Sequence, residues 1–493
     1  MLKDFKFSTP ESNGISSDSI LKFIKKIKDN KINLHSFIIV RNDCVLAEGY
    51  YKPFNKDFKH RLYSASKSIV SLAIGKLVKE GLIKLDDKLI KYFPEYNIAN
   101  DRKWFKDTTI EDVLKMSVPI LTDTYYDRLY KDWAWTFFNR QSDLKPAGTI
   151  FNYNTSGTFI LCVLVEKITG MTFIDYLRDI FDEIGVSNNV TCVKSPDGYA
   201  WGGSGVIMPL RDFALVSDLI MKRGIYNGKE LLPYEYMLKA TTKRMPNLNE
   251  NDYHMRSSEG YGYQMWISKY GFGLYGMGSQ LAFLFPDKNL MFVCQGDTQS
   301  SNDTSPDRIY DMFIDTIYDS LSDVQLDENI ESYKKLEETI QNLELNNDFG
   351  EAHSSYEKKI SGKTFDLLPN PMGWKWFKID TNEADGVITY ENSRGIKKIK
   401  FGMGKFIKGT FPETDYYDLI VDTKSNRELD SISSLTFLSE TEILIRNYII
   451  DTNLGNCFMV FSFKGDEVGI EFNKRAEFFL DDYQGFAGGF IRK

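Results

Sequence analysis

The stretch "LYSASKSIVSLAIGKLVKEG", residues 62–81, is the part of the sequence from which the fold can be inferred. Its apolar residues surround most of a helix that ends at Gly81, which predicts a helix buried in the middle of a domain. Ser64 and Lys67 stand three positions apart at the start of that helix and share one face. We therefore expect the Lys67 ammonium group to lie close to the Ser64 hydroxyl.

The spacing of a serine three residues ahead of a lysine recurs along the chain, beginning at Ser19, Ser64, Ser142, Ser332 and Ser355. Ser64 differs because it precedes a largely apolar helix, whereas the other serines are expected at solvated surface positions. At the first turn of a buried helix, unpaired backbone N–H groups and the positive end of the helix dipole stabilise a developing oxyanion.

Lys67 is a usable base if part of it is neutral. Burial and the positive end of the helix both disfavour its charged form, so we expect its pKa to fall far enough for the amine to accept the Ser64 proton. The alternative is that Ser64 caps the helix while Lys67 extends to solvent.

Length and charge restrict the class of protein. A chain of 493 residues exceeds what one hydrophobic core usually supports, so two or three domains are expected. With 61 basic and 69 acidic residues the net charge is −8, and no sustained cationic run with interleaved aromatic residues is present, so nucleic acid is not an expected partner. The N-terminus lacks the apolar segment of a signal peptide, and no run could span a bilayer, which favours a cytoplasmic protein without a membrane partner.

The cysteines and histidines argue against a metal site. The five cysteines lie far apart in apolar contexts without a C-x-x-C pair, so buried thiols are expected rather than disulfides. None of the four histidines has a second histidine or a cysteine at ligand spacing, so a zinc hydrolase is not expected.

The patterns of apolar residues predict an α+β first domain, a linker and a second domain. Residues 1–325 combine a helix over 16–31, a hairpin turned at 41–43, helices over 107–117, 156–183 and 210–223, and antiparallel strands between 261 and 296. Residues 326–354 are strongly charged and predict a helical linker. Residues 355–493 contain short alternating runs, as in "EVGIEFN", where Val468, Ile470 and Phe472 face one way; they predict an all-β barrel or sandwich.

Several stretches occur in a suggestive order: the helix at 62–81, "DVLKMSVP", "FNYNTSGTFILCVLVEKITG", "GGSGVIMPLRDFA", "GYGYQMW" and "YGMGSQLAFLFPDKNLMFV". Together they resemble the serine β-lactamase and penicillin-binding-protein superfamily, especially its esterase and 6-aminohexanoate-dimer hydrolase branch. The likeness covers roughly residues 8 to 300. It implies an antiparallel sheet flanked by helices plus a helical subdomain, and a small barrel-like domain appended at the C-terminus.

The resemblance also implies a site built from three motifs. Ser64 and Lys67 match the family's nucleophile and lysine. Tyr153 in "YNT" matches a tyrosine whose phenol exchanges protons with the nucleophile and the leaving group, and the alternative is a core tyrosine before a helix.

The third motif of the family is K-T-G or H-x-G on an edge strand, and it aligns with Met277, Gly278 and Ser279. The backbone N–H of the next residue, Gln280, would then join that of Ser64 in the oxyanion hole.

The sequence departs from the family pattern at two positions. Thr155 stands where many members have asparagine, which would weaken a polar contact to a substrate amide. Met277 stands where penicillin-recognising members carry a lysine or histidine for the substrate carboxylate, and a thioether has no positive charge to offer. An ester or amide is therefore a more plausible substrate than a penicillin.

Aromatic residues before Tyr153, in "TYYDRLYKDWAWTFF", are candidates for the substrate pocket. Trp133 and Trp135 either line the acyl pocket or pack in the core. Residues 201–203, Trp-Gly-Gly, are either a second rim loop or a simple turn.

The function that follows is serine-dependent hydrolysis of a small-molecule ester or amide, with Ser64 as nucleophile, Lys67 and Tyr153 as base and acid, and no metal or organic cofactor. The alternatives are a β-lactamase or D-amino-acid peptidase, and, in another class, a catalytically silent ligand-binding or sensor module. A further alternative assigns the function to the C-terminal β domain, as a binder of a small ligand or partner.

Overall fold

The structure is a computed structural model of the 493-residue chain. It describes residues 6–96, 98, 99, 102–120, 123, 131–139, 143–247, 258–298, 305–345, 350–412, 428–451, 454–475 and 483–493. These residues form two compact units that meet in sequence between Glu344 and Leu345. Ser142 and residues 124–130, the first seven of the fifteen-residue aromatic stretch before Tyr153, lie outside the described residues.

The first unit combines helices and strands. Its described helices are α1 Ser17–Asp29, α2 Ser66–Lys79, α3 Lys103–Asp107, α4 Ile110–Leu114, α5 Trp133–Asn139, α6 Thr155–Thr169, α7 Phe173–Tyr176, α8 Arg178–Ile184, α9 Leu210–Met221, α10 Tyr234–Ala240, α11 Ser305–Thr316 and α12 Ile330–Gln341. Its described strands are β1 Lys6–Phe7, β2 Leu34–Arg41, β3 Cys44–Tyr50, β4 Lys59–Arg61, β5 Thr191–Cys192, β6 Val206–Pro209, β7 Ile225–Tyr226, β8 Lys229–Glu230, β9 Ser258–Tyr261, β10 Trp266–Ser268, β11 Gly271–Gly276, β12 Gln280–Phe285 and β13 Leu290–Gly296.

The main sheet has eight strands in the order β1-β3-β2-β13-β12-β11-β10-β9, antiparallel except for the β1–β3 pair. Every residue of β2 and β13 is buried, as in central strands that are covered on both faces. Helix α9 packs against β2, β12 and β13, and the ring of Phe23 on α1 lies 5.3 Å from that of Phe292 on β13. The predicted antiparallel sheet flanked by helices is confirmed.

The hairpin predicted at residues 41–43 joins β2 to β3. Asn42 and Asp43 have φ values of 52° and 61°, the left-handed conformation that a two-residue turn between twisted strands requires.

Two predicted helices are shorter in the structure. The segment 156–183 is divided into α6, α7 and α8 because Gly170 adopts φ 70° and its N–H donates to the Glu166 carbonyl, which ends α6. The segment 107–117 contains only α4, whose start is defined by reciprocal hydrogen bonds between Thr109 and Asp112.

The charged segment before the second unit contains α12. Its Leu336 is buried, and the helix packs against α1 and β3. Helix α12 is therefore part of the first unit, unlike the separate linker expected over 326–354.

The second unit is a barrel. Its described elements are α13 Glu357–Ile360, β14 Thr364–Leu367, β15 Trp376–Thr381, β16 Asp385–Asn392, β17 Gly395–Met403, β18 Ile407–Phe411, β19 Leu429–Phe437, β20 Glu442–Ile450, β21 Leu454–Lys464, β22 Glu467–Arg475 and β23 Gly485–Ile491. The strands form one ten-stranded sheet in the order β17-β16-β15-β14-β23-β22-β21-β20-β19-β18, and a parallel pairing of β17 with β19 closes it. Val468, Ile470 and Phe472 are buried on one face of β22 as predicted, and the closing pair shows that the predicted all-β domain is a barrel and not a sandwich.

The five cysteines, all among the described residues, are thiols and not disulfides. Cys162, Cys294 and Cys457 are buried as predicted, whereas Cys44 and Cys192 are half-buried because each lies at a strand end. Among the described residues, no helix has both the length and the apolar composition needed to cross a membrane.

Two buried histidines hold the strand that leads to Ser64. His35 on β2 and His60 on β4 share a hydrogen bond of 2.8 Å between Nδ1 and Nε2, and His35 stacks on Phe54 at 3.9 Å. One of the two facing nitrogens must lack a proton for this bond to exist, so the pair cannot be doubly protonated. Burial lowers the pKa of His35 well below its ordinary value and that of His60 to about 3.

The buried pair predicts acid sensitivity. Between pH 6.5 and about 3 the unfolded chain binds protons that the folded chain excludes, so the free energy of unfolding should fall as the pH falls through that range. The expected slope is up to about 1.4 kcal/mol per pH unit for each histidine. Chemical denaturation of the protein and of His60→Gln between pH 7 and 5 measures it, and the variant should show the shallower slope.

His353→Gln is the matched control, because His353 is exposed and its hydrogen bond to Glu357 raises its pKa. A wild-type stability that does not change between pH 7 and 5 would contradict the prediction.

Candidate active site

Ser64 lies at the junction of β4 and α2. After β4 the chain forms a 3-10 turn at Tyr63–Ala65, and α2 begins at Ser66. Tyr63 has φ 47°, an unfavourable left-handed conformation for a bulky side chain. Ser64 is half-buried and makes no side-chain capping hydrogen bond to α2. It therefore sits just ahead of the helix rather than within its first turn.

Lys67 is buried at the start of α2, with 1% of its surface exposed. Its Nζ donates to Ser64 Oγ at 3.0 Å and to the Gly203 carbonyl at 2.6 Å, and lies 4.9 Å from the ring centre of Tyr153. The side chain does not extend to solvent, and its amine faces the serine.

Tyr153 lies immediately before the N-cap residue of α6, and its ring lies beside Lys67. Asn154 is the N-cap, and its Oδ1 accepts the Gly157 N–H at 2.8 Å. The Tyr153 ring stacks on Trp266 at 5.4 Å and meets the edge of Tyr261 at 6.3 Å. Burial raises the pKa of Tyr261 well above its ordinary value, so that phenol stays neutral.

The residues aligned with the third motif form a turn rather than an edge strand. Met277, Gly278 and Ser279 join β11 to β12, and β10 and β9 lie beyond β11 in the sheet. Gly278 and Ser279 have φ values of 77° and 70°, which no extended strand can adopt. Met277 is half-buried, and Gln280 begins β12 opposite Gly276.

The side chains of Gln280 and Ser279 fix this turn through hydrogen bonds. Gln280 is fully buried, and its Nε2 donates to the carbonyls of Gly278 at 3.2 Å and Gly296 at 2.7 Å. The Ser279 and Thr298 hydroxyls are 2.6 Å apart. The side chain of Gln280 thus has a positioning role that the sequence motif, which concerns its backbone N–H, does not reveal.

Two glycines allow the backbone segments of the site to approach one another. A Cβ on Gly276 would lie 2.0 Å from the Leu62 carbonyl oxygen and 3.2 Å from the Ala65 nitrogen, so β11 touches the turn that carries Ser64. A Cβ on Gly203 would lie 2.6 Å from Cγ2 of Thr155. The segment 201–203 thus packs against Thr155, and its Gly203 carbonyl accepts the hydrogen bond from Lys67 Nζ.

The predicted pocket residues lie in different environments. Thr155 is buried, and its methyl group faces Gly203. Trp133 is buried against Trp201, with ring centres 5.1 Å apart, whereas Trp135 on the same helix is 37% exposed.

Gln264 is a further residue that the sequence analysis missed. Its Oε1 accepts from Thr158 Oγ1 at 2.6 Å, and its backbone carbonyl accepts from Ser68 Oγ at 2.6 Å. It thereby ties α6 and α2 to the segment before β10. A single glutamine between strands carries no periodic or motif signal.

The arrangement contains the parts of nucleophilic catalysis. A hydroxyl is hydrogen-bonded to a buried amine, a tyrosine ring lies 4.9 Å from that amine, and strand β11 closely approaches the turn that carries the serine. Such a group can move a proton from a serine to an amine and onward to a leaving group.

Comparison with known proteins agrees with this geometry. A sequence profile of the beta-lactamase family matches residues 25–313, which is more than half of the chain. The chain belongs to the beta-lactamase family. This family relationship supports the resemblance inferred from the ordered motifs.

Individual relatives of this beta-lactamase-family chain are distant. It is 25% identical over 215 residues to the 6-aminohexanoate-dimer hydrolase of Paenarthrobacter ureafaciens, covering 39% of this chain and 53% of that protein. It is 22% identical over 262 residues to an uncharacterized protein of Alkalihalophilus pseudofirmus, covering 47% of this chain and 72% of that protein. The chain thus spans about half the length of the hydrolase that it matches.

Among solved structures, a family VIII carboxylesterase aligns with a TM-score of 0.50 and 17% identity, covering 64% of this chain and 99% of that one. At this identity the likeness is one of fold alone.

The approach of β11 to the Ser64 turn predicts that Gly276→Ala destabilises this beta-lactamase-family unit. The added methyl group would meet backbone atoms, which cannot rotate away, so we expect a loss of about 1–3 kcal/mol in the free energy of unfolding. Thermal unfolding measures it. Gly469→Ala is the control, because no atom lies within 4 Å of its added Cβ. Equal melting temperatures for Gly276→Ala and the wild type would contradict the close approach.

Proposed function

We propose that the chain is a serine-dependent acyl hydrolase that cleaves an ester or an amide through an acyl-enzyme on Ser64. The observation that carries the proposal is the 3.0 Å hydrogen bond between Ser64 Oγ and the Nζ of a lysine that is 1% exposed. Membership of the beta-lactamase family supports it. So does the relative named 6-aminohexanoate-dimer hydrolase.

In the first half of the reaction, Ser64 Oγ attacks the substrate carbonyl carbon while its proton passes to neutral Lys67, assisted by Tyr153. The new C–O bond converts the carbonyl oxygen to an oxyanion. The backbone N–H groups of Ser64 and Gln280 stabilise that charge, and the side chain of Gln280 holds the turn in place.

In the second half, Tyr153 donates a proton to the departing alkoxide or amine, and the C–O or C–N bond of the substrate breaks. Water then attacks the acyl-enzyme and gives its proton to the same pair of residues. The acid leaves, and the Ser64 hydroxyl is restored.

Ser64→Ala tests the nucleophile. The variant should lose labelling by a fluorophosphonate probe, and its kcat for short p-nitrophenyl esters should fall by at least about 1000-fold, because no other group forms the acyl-enzyme. Circular dichroism should remain unchanged.

Ser355→Ala is the matched control, since Ser355 has the same spacing to a lysine but is exposed. It should keep full labelling and turnover. Ester hydrolysis by Ser64→Ala at the wild-type rate would contradict the serine mechanism.

Met277 separates this proposal from a β-lactamase or D-amino-acid peptidase. Its thioether cannot pair with the carboxylate that such substrates carry, so we expect kcat/KM for nitrocefin to be at least about 100-fold below that for a p-nitrophenyl ester. Met277→Lys should raise the nitrocefin value by about tenfold while leaving the ester value near that of the wild type. Efficient nitrocefin turnover by the unmodified protein would favour the β-lactamase alternative instead.

A silent ligand-binding module is the alternative from another class. The close contact of Ser64, Lys67 and the Tyr153 ring disfavours it, since a module that only binds has no need of a serine hydrogen-bonded to a buried amine. Absence of both probe labelling and turnover, across ester, amide and D-amino-acid peptide substrates, would favour that alternative.

A further inference from the structure

Arg61 is a buried cation three residues before Ser64, with none of its surface exposed. Its Nε donates to the Ser204 carbonyl at 2.9 Å, and its Nη2 donates to Ser204 Oγ at 3.0 Å. A guanidinium group that is removed from water is retained in a protein only when hydrogen bonds and packing compensate for its lost hydration. The fork of two bonds to one residue is a geometry that arginine provides and lysine does not.

Arg61 binds Ser204, and Lys67 binds the preceding residue, Gly203. The carbonyl of Gly203 accepts from Lys67 Nζ at 2.6 Å, and the carbonyl of Ser204 accepts from Arg61. The Gly203 carbonyl lies in the peptide unit whose N–H belongs to Ser204, so a displacement of Ser204 would also displace this carbonyl. By binding both the carbonyl and the hydroxyl of Ser204, Arg61 restrains the residue next to the carbonyl that anchors the catalytic amine.

Arg61 also packs against the strained residue before Ser64. Its Cζ lies 4.6 Å from the ring centre of Tyr63 and 4.9 Å from that of Trp201, so the guanidinium group contacts both rings. Tyr63 has φ 47°, a conformation that persists only where its surroundings enforce it.

The backbone around Arg61 links the same two segments. The Leu62 N–H donates to the Val206 carbonyl at 2.7 Å, and the Val206 N–H donates to Ser66 Oγ at 3.1 Å. Arg61 itself pairs with Ile207 in the β4–β6 ladder. Backbone hydrogen bonds and the guanidinium group thus both connect the Ser64 turn to residues 201–206.

We propose, resting on the hydrolase function above, that Arg61 is a positioning residue that keeps Ser64 Oγ and Lys67 Nζ in contact. It does so by holding Ser204, the residue that follows Gly203, and the Tyr63 turn. Arg61 does not touch the reacting atoms, and it acts through these two neighbours.

The first test measures kcat and KM separately for the hydrolysis of a p-nitrophenyl ester. Arg61→Met should lower kcat by about 100-fold, the effect of a small misplacement of reacting groups, while KM changes by less than about threefold. Arg61→Lys should not restore the rate, since an ammonium group cannot form the fork or lie flat against both rings. Ser204→Ala, which removes one acceptor, should lower kcat by about fivefold in the same way.

Arg178→Met is the matched control. Arg178 also donates to two neighbouring carbonyls, those of Val186 at 2.6 Å and Ser187 at 3.0 Å, and packs on a phenylalanine ring, but it contacts no residue of the site. Its kcat should equal that of the wild type. A kcat of Arg61→Met within threefold of the wild type, or rescue of the rate by Arg61→Lys, would overturn the positioning role.

The second test does not depend on activity. In a crystal structure of Ser204→Ala or Arg61→Met, Lys67 Nζ should move beyond hydrogen-bond distance of Gly203 O or of Ser64 Oγ. Retention of both contacts in both variants would overturn the proposal, whether or not the chain hydrolyses esters. Conversely, a displaced lysine in a protein whose wild type never labels with fluorophosphonate would support the role of Arg61 and contradict the hydrolase function.

Discussion

The hydrogen bond from Lys67 to the Gly203 carbonyl is the interaction on which the site depends. A lysine with 1% of its surface exposed has exchanged water for a few protein groups, and this carbonyl, at 2.6 Å, is one of them. The bond holds the amine at a distance of 3.0 Å from Ser64. Three contacts restrain the segment that carries this carbonyl: the β4–β6 pairing, the hydrogen bonds of Arg61 to Ser204 and the close packing of Gly203 against Thr155.

Much of the fold of both units could be predicted from local patterns. Helix α2, the hairpin at Asn42 and Asp43, and the alternation of Val468, Ile470 and Phe472 all arise from neighbouring residues, whose spacing reports the period of the element. Burial of Lys67 followed from the apolar surroundings of its helix. The predicted serine–lysine contact is present, although Ser64 lies in the 3-10 turn ahead of α2 and not on the face of the helix itself.

The remaining features depend on contacts between distant parts of the chain. The acceptor of Lys67 lies in a loop that no periodicity marks, and the Gln264 contacts join α2, α6 and the segment before β10. The motif at Met277–Ser279 was placed on an edge strand because alignment records order but not backbone angles. The positive φ values of Gly278 and Ser279 make it a turn. The apolar pattern predicts one helix over 156–183, whereas the left-handed φ of Gly170 ends the first of three helices.

The contact between the Thr155 methyl group and Gly203 also limits how this chain can evolve. With a Cβ at position 203 only 2.6 Å from that methyl group, a larger residue there is tolerated only if position 155 becomes smaller or turns away. Position 155 opens the helix after Tyr153, and position 203 anchors Lys67, so the two motifs cannot drift independently. Among related chains, a residue larger than glycine at position 203 should therefore mark a backbone that has moved at the carbonyl that Lys67 contacts.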